Sequence, residues 1–367
     1  MNSKFVSLNG PKDLEIKERE VPKLEQGFLL RNIACGVCGT DIHVVNGKFN
    51  TNFPIIPGHE FYGEVVEIHN KKYIKGVNGK VKVGDYVTLV PGLQCNKCEY
   101  CNELPKQDEL CLHRQTYGLT FNTEKYPYLG GGYSEYVLVN DGFLPYKVNK
   151  NWPLGYAVLL EPLCVGNYAV ERMLKIAEKT KNRKLKVAIV GFGTIGCMVA
   201  LSLRNKNIDA TIIDIKDGRR ETAVKLGYTN VFDALDKRIL EQKDLNNLPF
   251  DVVFECAGTQ ESFMQCFSYV RKGGVIVEMG HFVNIGNVEL SPQIICKNEV
   301  TIIGSVLSPA RKYKEAEKIL NKNLKYASLL ANPLYKLQNV DKALDNLVNI
   351  KNGIKTTLIM ESENDNK

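Results

Sequence analysis

The sequence predicts an α/β protein in which an irregular β-rich domain comes first and a doubly wound parallel sheet follows. Three observations support this fold class. Short β-like runs broken by Gly, Pro and Asn fill roughly the first 150 residues. Apolar strands alternate with helical segments from about residue 186 onward, and a glycine-rich loop joins the first of these strands to a helix. With 367 residues, of which 44% are hydrophobic, the chain is long enough for two domains with buried cores.

The individual elements follow from residue type and periodicity. β-branched and aromatic residues indicate strands at 63–68 and 86–90, and apolar residues at helical spacing predict a helix over about 157–179. The later strand candidates are apolar runs at 186–190, 211–213, 252–254, 275–277 and 301–303. An amphipathic helix at about 312–321 and a strand at about 356–359 complete the order. Because strands and helices alternate after residue 186, we expect a parallel sheet with helices on both faces.

Composition and charge argue against several classes of protein. The net charge of +7 comes from 48 Lys+Arg against 41 Asp+Glu, and the lysines are scattered, whereas a nucleic-acid footprint clusters on one face. No stretch approaches the roughly 18 apolar residues of a membrane span, and the first residues lack the apolar run of a signal peptide. We therefore expect a cytoplasmic protein that binds neither nucleic acid nor membrane.

Four cysteines have the spacing of metal ligands. The run Cys95-x-x-Cys98-x-x-Cys101, closed by Cys111, predicts one tetrahedral zinc site. Disulfides or buried free thiols are the alternative. Three cysteines at so tight a spacing do not pack as core, however, and an odd number of the 11 cysteines lies outside the set. Because a zinc ion with four protein ligands has no open position, this site is expected to be structural.

A glycine loop, Gly191-x-Gly193-x-x-Gly196, follows the first parallel strand and opens a helix. This is the context of a dinucleotide-binding fingerprint. The first glycine permits the tight turn, the second lets the backbone approach a pyrophosphate, and the third allows helix and strand to touch. Thr194 and Ile195 begin the helix, whose N-terminus offers unpaired N–H groups to the cofactor.

The choice of cofactor depends on Asp214, which ends the next predicted strand. A carboxylate at this position hydrogen-bonds the adenosine ribose 2′-hydroxyl and repels a 2′-phosphate, which favours NAD. Lys216, Arg219 and Arg220 stand close to Asp214 and leave NADP open, because they can meet a phosphate instead. Arg219 is thus a further candidate for cofactor binding, and the alternative for these basic residues is a solvated helix start.

A second set of candidate metal ligands comes from three separate segments, which contain Cys38, His59 with Glu60, and Glu161. Thiolate, imidazole and carboxylate are mixed zinc ligands, and a catalytic zinc keeps three protein ligands and one open position. Spacing alone does not establish this site, because a lone Cys or His is more often a core or surface residue.

Together these motifs resemble the zinc-dependent medium-chain dehydrogenases, which include sorbitol, threonine, glucose and alcohol dehydrogenases. The matching segments cover nearly the whole length; they are 38–43, 58–65, 83–87, the four-cysteine lobe, 132–136, 161–163 and the glycine loop with Asp214. The resemblance implies a GroES-like catalytic domain at 1–164 with a structural zinc lobe at about 92–114, a Rossmann NAD-binding domain at 165–304, and a return to the catalytic domain at 305–367. It also implies a homodimer or homotetramer.

The same resemblance assigns the residues of a catalytic zinc site. Cys38 and His59 are matched to two of its ligands. Glu60 and Glu161 are rivals for the third, and the two can exchange during turnover. Asp41 is matched to a carboxylate that orients the His59 imidazole, and an N-cap is its alternative role.

Further residues are matched to proton transfer and cofactor binding. Thr40 and His43 occupy the positions of a proton relay, with a surface imidazole as the alternative for His43. His281 falls where the chain passes the nicotinamide, although a core or solvated histidine is the alternative there. Lys355 is a candidate for the pyrophosphate. Tyr133 lies near the pocket by position, where aromatic residues more often serve packing.

The activity implied is oxidation of a secondary alcohol in a polyol, sugar or amino alcohol, with about two zinc ions per chain and NAD. Zinc lowers the pKa of the substrate hydroxyl so that an alkoxide forms and hydride passes to the nicotinamide. Glutamate rather than cysteine at position 161 favours polar, chelating substrates. The alternatives are a simple alcohol dehydrogenase or aldehyde reductase, linked to either NAD or NADP, and a non-catalytic protein that binds zinc and nucleotide.

Overall fold

In the computed structural model the chain forms two compact units. The first comprises Met1–Glu161, Pro309–Ile350 and Lys355–Lys367, and the second comprises Pro162–Ser308 and Lys351–Ile354. The residues described are 1–103, 107–177, 184–236, 249–281, 283–284, 286–349 and 353–360. Among the helices of these residues, none combines the length and the apolar character needed to cross a membrane.

The first unit consists mainly of antiparallel β-structure. Its strands, numbered along the chain, are β1 (Asn2–Gly10), β2 (Asp13–Glu20), β3 (Phe28–Gly36), β4 (Glu60–Ile68), β5 (Ile74–Gly76), β6 (Gly79–Val81), β7 (Tyr86–Leu89), β8 (Gly92–Leu93), β9 (Gln115–Thr116), β10 (Tyr136–Val139), β11 (Pro145–Lys147), β18 (Leu334–Lys336) and β19 (Thr357–Ile359). Seven of them form one sheet in the order β11-β7-β4-β3-β19-β18, with β10 also pairing with β3. The buried aromatic residues Phe28, Phe61, Tyr117 and Tyr133 belong to the core of this unit.

The centre of this sheet brings distant segments together. β3 and β4 pair antiparallel with Gly36 opposite Glu60, so the segment after β3 lies beside the segment before β4. β19 pairs with β3 on the other side and brings the C-terminal segment to the same place. The α-helices of this unit are Gly39–Val45, Glu99–Asn102, Tyr313–Lys322, Ala327–Leu330 and Val340–Asn349.

The second unit is built on a six-stranded parallel sheet. Its strands are β12 (Val187–Val190), β13 (Ala210–Asp214), β14 (Val231–Asp233), β15 (Phe250–Glu255), β16 (Val270–Glu278) and β17 (Thr301–Gly304). They follow the order β14-β13-β12-β15-β16-β17, which is the doubly wound order with its reversal between β12 and β15. Every residue of these two central strands is buried; β12 is apolar throughout, whereas β15 also buries Asp251 and Glu255. Helices Thr194–Asn205, Asp217–Lys225, Gln260–Tyr269 and Gln293–Asn298 connect or flank the strands.

Each strand predicted from the sequence corresponds to an observed strand, but the helix expected over 157–179 starts differently. Its first turn, Tyr156–Leu159, is a 3-10 helix that follows Gly155 in the left-handed conformation. The α-helix itself runs over Leu160–Ala177. The predicted last two residues lie outside the described part of the chain.

Candidate active site

The side chains of Cys38, His59 and Glu60 converge in the first unit. One donor atom of each lies within 4.8 Å of the other two. His59 is 8% exposed and Glu60 is 1% exposed. Cys38 occupies the N-cap of the helix Gly39–Val45. Glu161, the rival third ligand, is buried but is not among these three converging donors.

Asp41 lies against the His59 ring. Its Oδ1 is 3.7 Å from His59 Nδ1, and its Oδ2 accepts hydrogen bonds from the Cys38 N–H at 2.8 Å and the Tyr133 hydroxyl at 2.9 Å. Burial alone would raise the pKa of Asp41, but His59 and these donors hold it below its usual value. The N-cap role expected as an alternative for Asp41 is taken by Cys38; Asp41 is the third helical residue, accepts the Cys38 N–H and faces the His59 imidazole.

This donor set fits a zinc ion. A thiolate, an imidazole and a carboxylate are available, and Asp41 faces the Nδ1 side of the His59 ring, which leaves Nε2 for a metal. Burial lowers the pKa of His59, but its contacts with Asp41 and Cys38 raise that pKa well above the usual value. Because ligands must be deprotonated, metal binding at neutral pH would release the His59 proton.

Two further buried charged groups stand beside these donors. Lys355 forms an ion pair with Glu60, and the negative charges of Glu60 and Cys38 outweigh burial and raise the pKa of Lys355. Burial and the charge of Glu60 raise the pKa of Glu161 to about 7. We expected Lys355 at the cofactor pyrophosphate, whereas the structure pairs it with Glu60, because it lies just before β19 in the sheet register.

Thr40 and His43 lie three residues apart on the helix Gly39–Val45 and therefore on one face of it. Thr40 Oγ1 is 3.6 Å from Cys38 Sγ. His43 is half-buried, and burial together with the positive charge of Lys48 lowers the pKa of His43 below 6.5. Its imidazole is thus neutral at pH 7 and able to accept a proton.

The four cysteines at 95, 98, 101 and 111 form a separate cluster. Their Sγ atoms all lie within 4.8 Å of one another, and none of the four forms a disulfide. Backbone N–H groups of Lys97 and Cys98 lower the pKa of Cys95 to about 6, while burial raises the pKa of Cys101 to about 12. Four convergent sulfurs fit a closed tetrahedral zinc site.

The glycine loop joins β12 to the helix Thr194–Asn205 in the second unit. Gly191 has φ +91°, and a Cβ on Gly196 would overlap the Gly191 carbonyl oxygen, so both positions require glycine. Ile195 lies in the first helical turn, and Thr194 Oγ1 donates to the Ile354 carbonyl at 2.9 Å.

Asp214 lies at the carboxyl end of β13. Its Oδ2 accepts from the Phe192 N–H at 2.6 Å, its Oδ1 accepts from the Lys216 N–H at 2.7 Å, and Arg219 Nη1 is 3.5 Å from Oδ2. A Cβ placed on Gly193 would be 3.6 Å from the Arg219 guanidinium. The structure thus brings the predicted cofactor residues together around one loop, and each carboxylate oxygen keeps capacity for another donor.

Comparison with known proteins agrees with this architecture. The model of the alcohol dehydrogenase GroES-like domain matches residues 25–150, and that of the zinc-binding dehydrogenases matches residues 194–322. The chain is 31% identical over 312 residues to an alcohol dehydrogenase of Geobacillus stearothermophilus, covering 83% of this chain and 84% of that protein. It is 29% identical over 351 residues to D-arabinitol dehydrogenase 1 of Uromyces fabae, covering 92% and 91%. A crystal structure of an alcohol dehydrogenase from Thermotoga maritima matches with a TM-score of 0.86 at 23% identity, covering 98% and 100%.

The chain belongs to the zinc-dependent medium-chain dehydrogenase family. It is an oxidoreductase of the alcohol and polyol dehydrogenase type. The predicted combination of a GroES-like domain with a Rossmann-type sheet is confirmed.

Two contacts of this site were not evident from the sequence. The Tyr133 hydroxyl reaches Asp41, although Tyr133 was expected to serve mainly packing. Lys355 reaches Glu60 from a segment almost 300 residues away along the chain. The pairing of β19 with β3 brings Lys355 to Glu60, and Tyr133 lies three residues before β10, which also pairs with β3; no local pattern marks either contact.

Proposed function

We propose that this protein is a zinc- and NAD-dependent dehydrogenase that oxidises a secondary alcohol of a polyol, sugar or amino alcohol to the ketone. The supporting observation is the convergence of Cys38, His59 and Glu60 within 4.8 Å in a chain that also carries a dinucleotide-binding loop. When bound, zinc supplies a Lewis acid that lowers the pKa of the substrate hydroxyl, and NAD supplies the acceptor for the hydride.

Residues of both clusters would bind zinc, and a neighbouring carboxylate would orient one of the ligands. Cys38, His59 and Glu60 hold the catalytic zinc, and Asp41 fixes the tautomer and orientation of His59. Glu60 is preferred over Glu161 as the resting third ligand, because only Glu60 belongs to the converging donors. The four cysteines hold a second zinc that supports the lobe around them.

Thr40 and His43 move the proton. The substrate hydroxyl passes its proton toward Thr40 Oγ1, and the neutral imidazole of the half-buried His43 accepts it and releases it to solvent. This role is supported by the position of both side chains on one face of the helix that Cys38 caps.

Two observations support the choice of substrate and cofactor. Glu60, Glu161 and Lys355 give the zinc site a polar lining that suits neighbouring hydroxyl or amino groups, and one relative is a D-arabinitol dehydrogenase. The Asp214 carboxylate at the end of β13 suits a ribose hydroxyl and repels a phosphate, which favours NAD over NADP.

Steady-state kinetics of the zinc-loaded protein tests the proposal. D-Arabinitol, sorbitol, L-threonine and ethanol are each assayed with NAD and with NADP. We expect NAD to be reduced with a higher kcat/KM for at least one polyol or amino alcohol than for ethanol. A preference for ethanol with either cofactor would indicate a simple alcohol dehydrogenase. No reduction of either cofactor, with both zinc sites filled, would indicate a non-catalytic protein.

A further inference from the structure

The second unit contains a third cluster of titratable side chains, Glu255, Glu278 and His281, which the proposed reaction does not use. One donor atom of each lies within 4.8 Å of the others. Glu255 ends β15, Glu278 ends β16, and the two residues are partners in the parallel register. His281 follows Glu278 by three residues. All three side chains therefore belong to the carboxyl edge of the sheet.

One carboxylate oxygen of Glu255 accepts three hydrogen bonds, and the other accepts none from the described residues. The side chain is 0% exposed, and its Oε1 accepts from the N–H groups of Ala257 and Gly258 at 3.0 and 2.9 Å and from the Ser262 hydroxyl at 2.6 Å. Within the described residues its Oε2 has no hydrogen-bond partner, and it lies 3.7 Å from His281 Nδ1. A fully buried carboxylate oxygen without a donor is costly, and it indicates a missing partner.

Glu278 adds a second carboxylate to the same cluster. Its Oε1 accepts from His281 Nδ1 at 2.9 Å and from the N–H groups of Gly280 and His281 at 3.0 and 3.1 Å, while its Oε2 lacks a hydrogen-bond partner among the described residues. Among the described residues, Glu255 and Glu278 have the same ion-pair partner, His281. Burial and the negative charge of Glu278 raise the pKa of Glu255, so a positive charge beside the two carboxylates would stabilise their ionised forms.

The order of the strands relates this cluster to the cofactor. A dinucleotide lies across the carboxyl ends of a doubly wound sheet at the point where the order reverses, which here is between β12 and β15. β12 and β13 carry the glycine loop and Asp214, which suit the pyrophosphate and the adenosine ribose. The nicotinamide half is therefore expected over β15 and β16, the strands that end in Glu255 and Glu278.

We propose that Glu255, Glu278 and His281 form an anionic group beside the nicotinamide subsite that stabilises the positively charged oxidised ring relative to the neutral reduced ring. The ring carries a positive charge in NAD+ and none in NADH, so only the oxidised form gains attraction from an uncompensated carboxylate. The inference rests on the proposed nicotinamide cofactor and adds which of its two redox forms the site favours.

Binding measurements on one matched pair of variants test this inference. Calorimetric titrations of NAD+, NADH and ADP-ribose are compared for zinc-loaded wild type and Glu278→Gln, which removes one charge and keeps the side-chain shape. We expect the affinity for NAD+ to fall about tenfold, while the affinities for NADH and ADP-ribose change less than about twofold. The control is Asp251→Asn, which removes a carboxylate paired with Arg271 at the amino end of β15, the neighbouring strand that ends in Glu255. It should leave the NAD+ to NADH affinity ratio unchanged.

Glu255→Gln provides a second test of the same ratio and should shift it in the same direction. Equal changes for NAD+ and NADH, or no change, would overturn the inference. Loss of a bound metal ion from Glu278→Gln would also overturn it, because the cluster would then be a metal site. Wild-type protein that binds neither NADH nor ADP-ribose would refute the proposed cofactor as well, so the two failures are distinguishable.

Discussion

The Asp41 carboxylate lies on the Nδ1 side of the His59 ring, with 3.7 Å between Oδ1 and Nδ1. It is fully buried, and the Cys38 N–H and the Tyr133 hydroxyl fix its position, which suits the proposed role of orienting the imidazole. Partners of this kind usually contribute strongly to metal affinity although they do not touch the ion.

Replacing Asp41 with Asn is expected to weaken zinc binding at this site by about 10–100-fold, because a neutral amide raises the basicity of the imidazole less than a carboxylate does. Competition with a chromophoric chelator measures the affinity. Tyr133→Phe is the control, since it removes one hydrogen bond but keeps the carboxylate, and its loss should be smaller. Unchanged affinity in Asp41→Asn would contradict the role given to this residue.

Cys95 is expected to be unusually reactive when the four-cysteine cluster is free of metal. Backbone N–H groups lower its pKa to about 6, so the thiolate fraction rises as pH rises through about 6 and levels off near neutrality. The rate of alkylation by iodoacetamide, followed by peptide mass spectrometry, should have this profile. A cysteine peptide with a pKa of about 8.5 is the reference, and its rate keeps rising into alkaline solution. Identical profiles for the two would refute the expectation.

Residue type and spacing predicted some of these groups better than others. The four cysteines are close in sequence, so their convergence followed directly from spacing. The grouping of Glu60, rather than Glu161, with Cys38 depends on the register of β3 and β4, which no local pattern reveals. The place of Lys355 depends likewise on β19. The roles assigned to these side chains stay predictions.

At the scale of elements, the turn from β12 into the helix Thr194–Asn205 determines how closely a cofactor can approach the backbone. The alternation of apolar runs and helical segments was enough to predict this βαβ arrangement, because buried parallel strands are apolar throughout. The beginning of β16 was not predicted. This strand already starts at Val270, before Lys272, Gly273 and Gly274 interrupt the apolar pattern.

Substituting Gly196 with Ala tests the packing of this turn. The added Cβ would overlap the Gly191 carbonyl oxygen, so we expect a loss of about 1–3 kcal/mol in the free energy of unfolding and weaker NADH binding. Urea denaturation and NADH fluorescence titration measure these effects. Gly304→Ala in β17 is the control, because its Cβ would meet nothing within 4 Å. If both variants behave like wild type, the close contact is not required.

At the scale of the whole molecule, the chain combines a cluster of four cysteines, a cluster of three mixed donors and a doubly wound sheet with a glycine loop. Four sulfurs around a zinc ion would leave no position for substrate, whereas Cys38, His59 and Glu60 would leave one. This difference separates stability from chemistry and is the basis of the proposed function. The domain boundaries at 164 and 304, the homo-oligomer and the cytoplasmic location stay predictions from the sequence.

The most direct test is the zinc content and turnover of Cys38→Ser and Cys98→Ser, determined by atomic emission and NAD reduction on the same samples. Wild type should hold about two zinc ions per chain, and each variant about one. Cys38→Ser should lose turnover but keep the melting temperature of wild type. Cys98→Ser should have a lower melting temperature, and its folded fraction should retain turnover. Normal turnover in Cys38→Ser, or an undiminished zinc content, would contradict the assignment of this site.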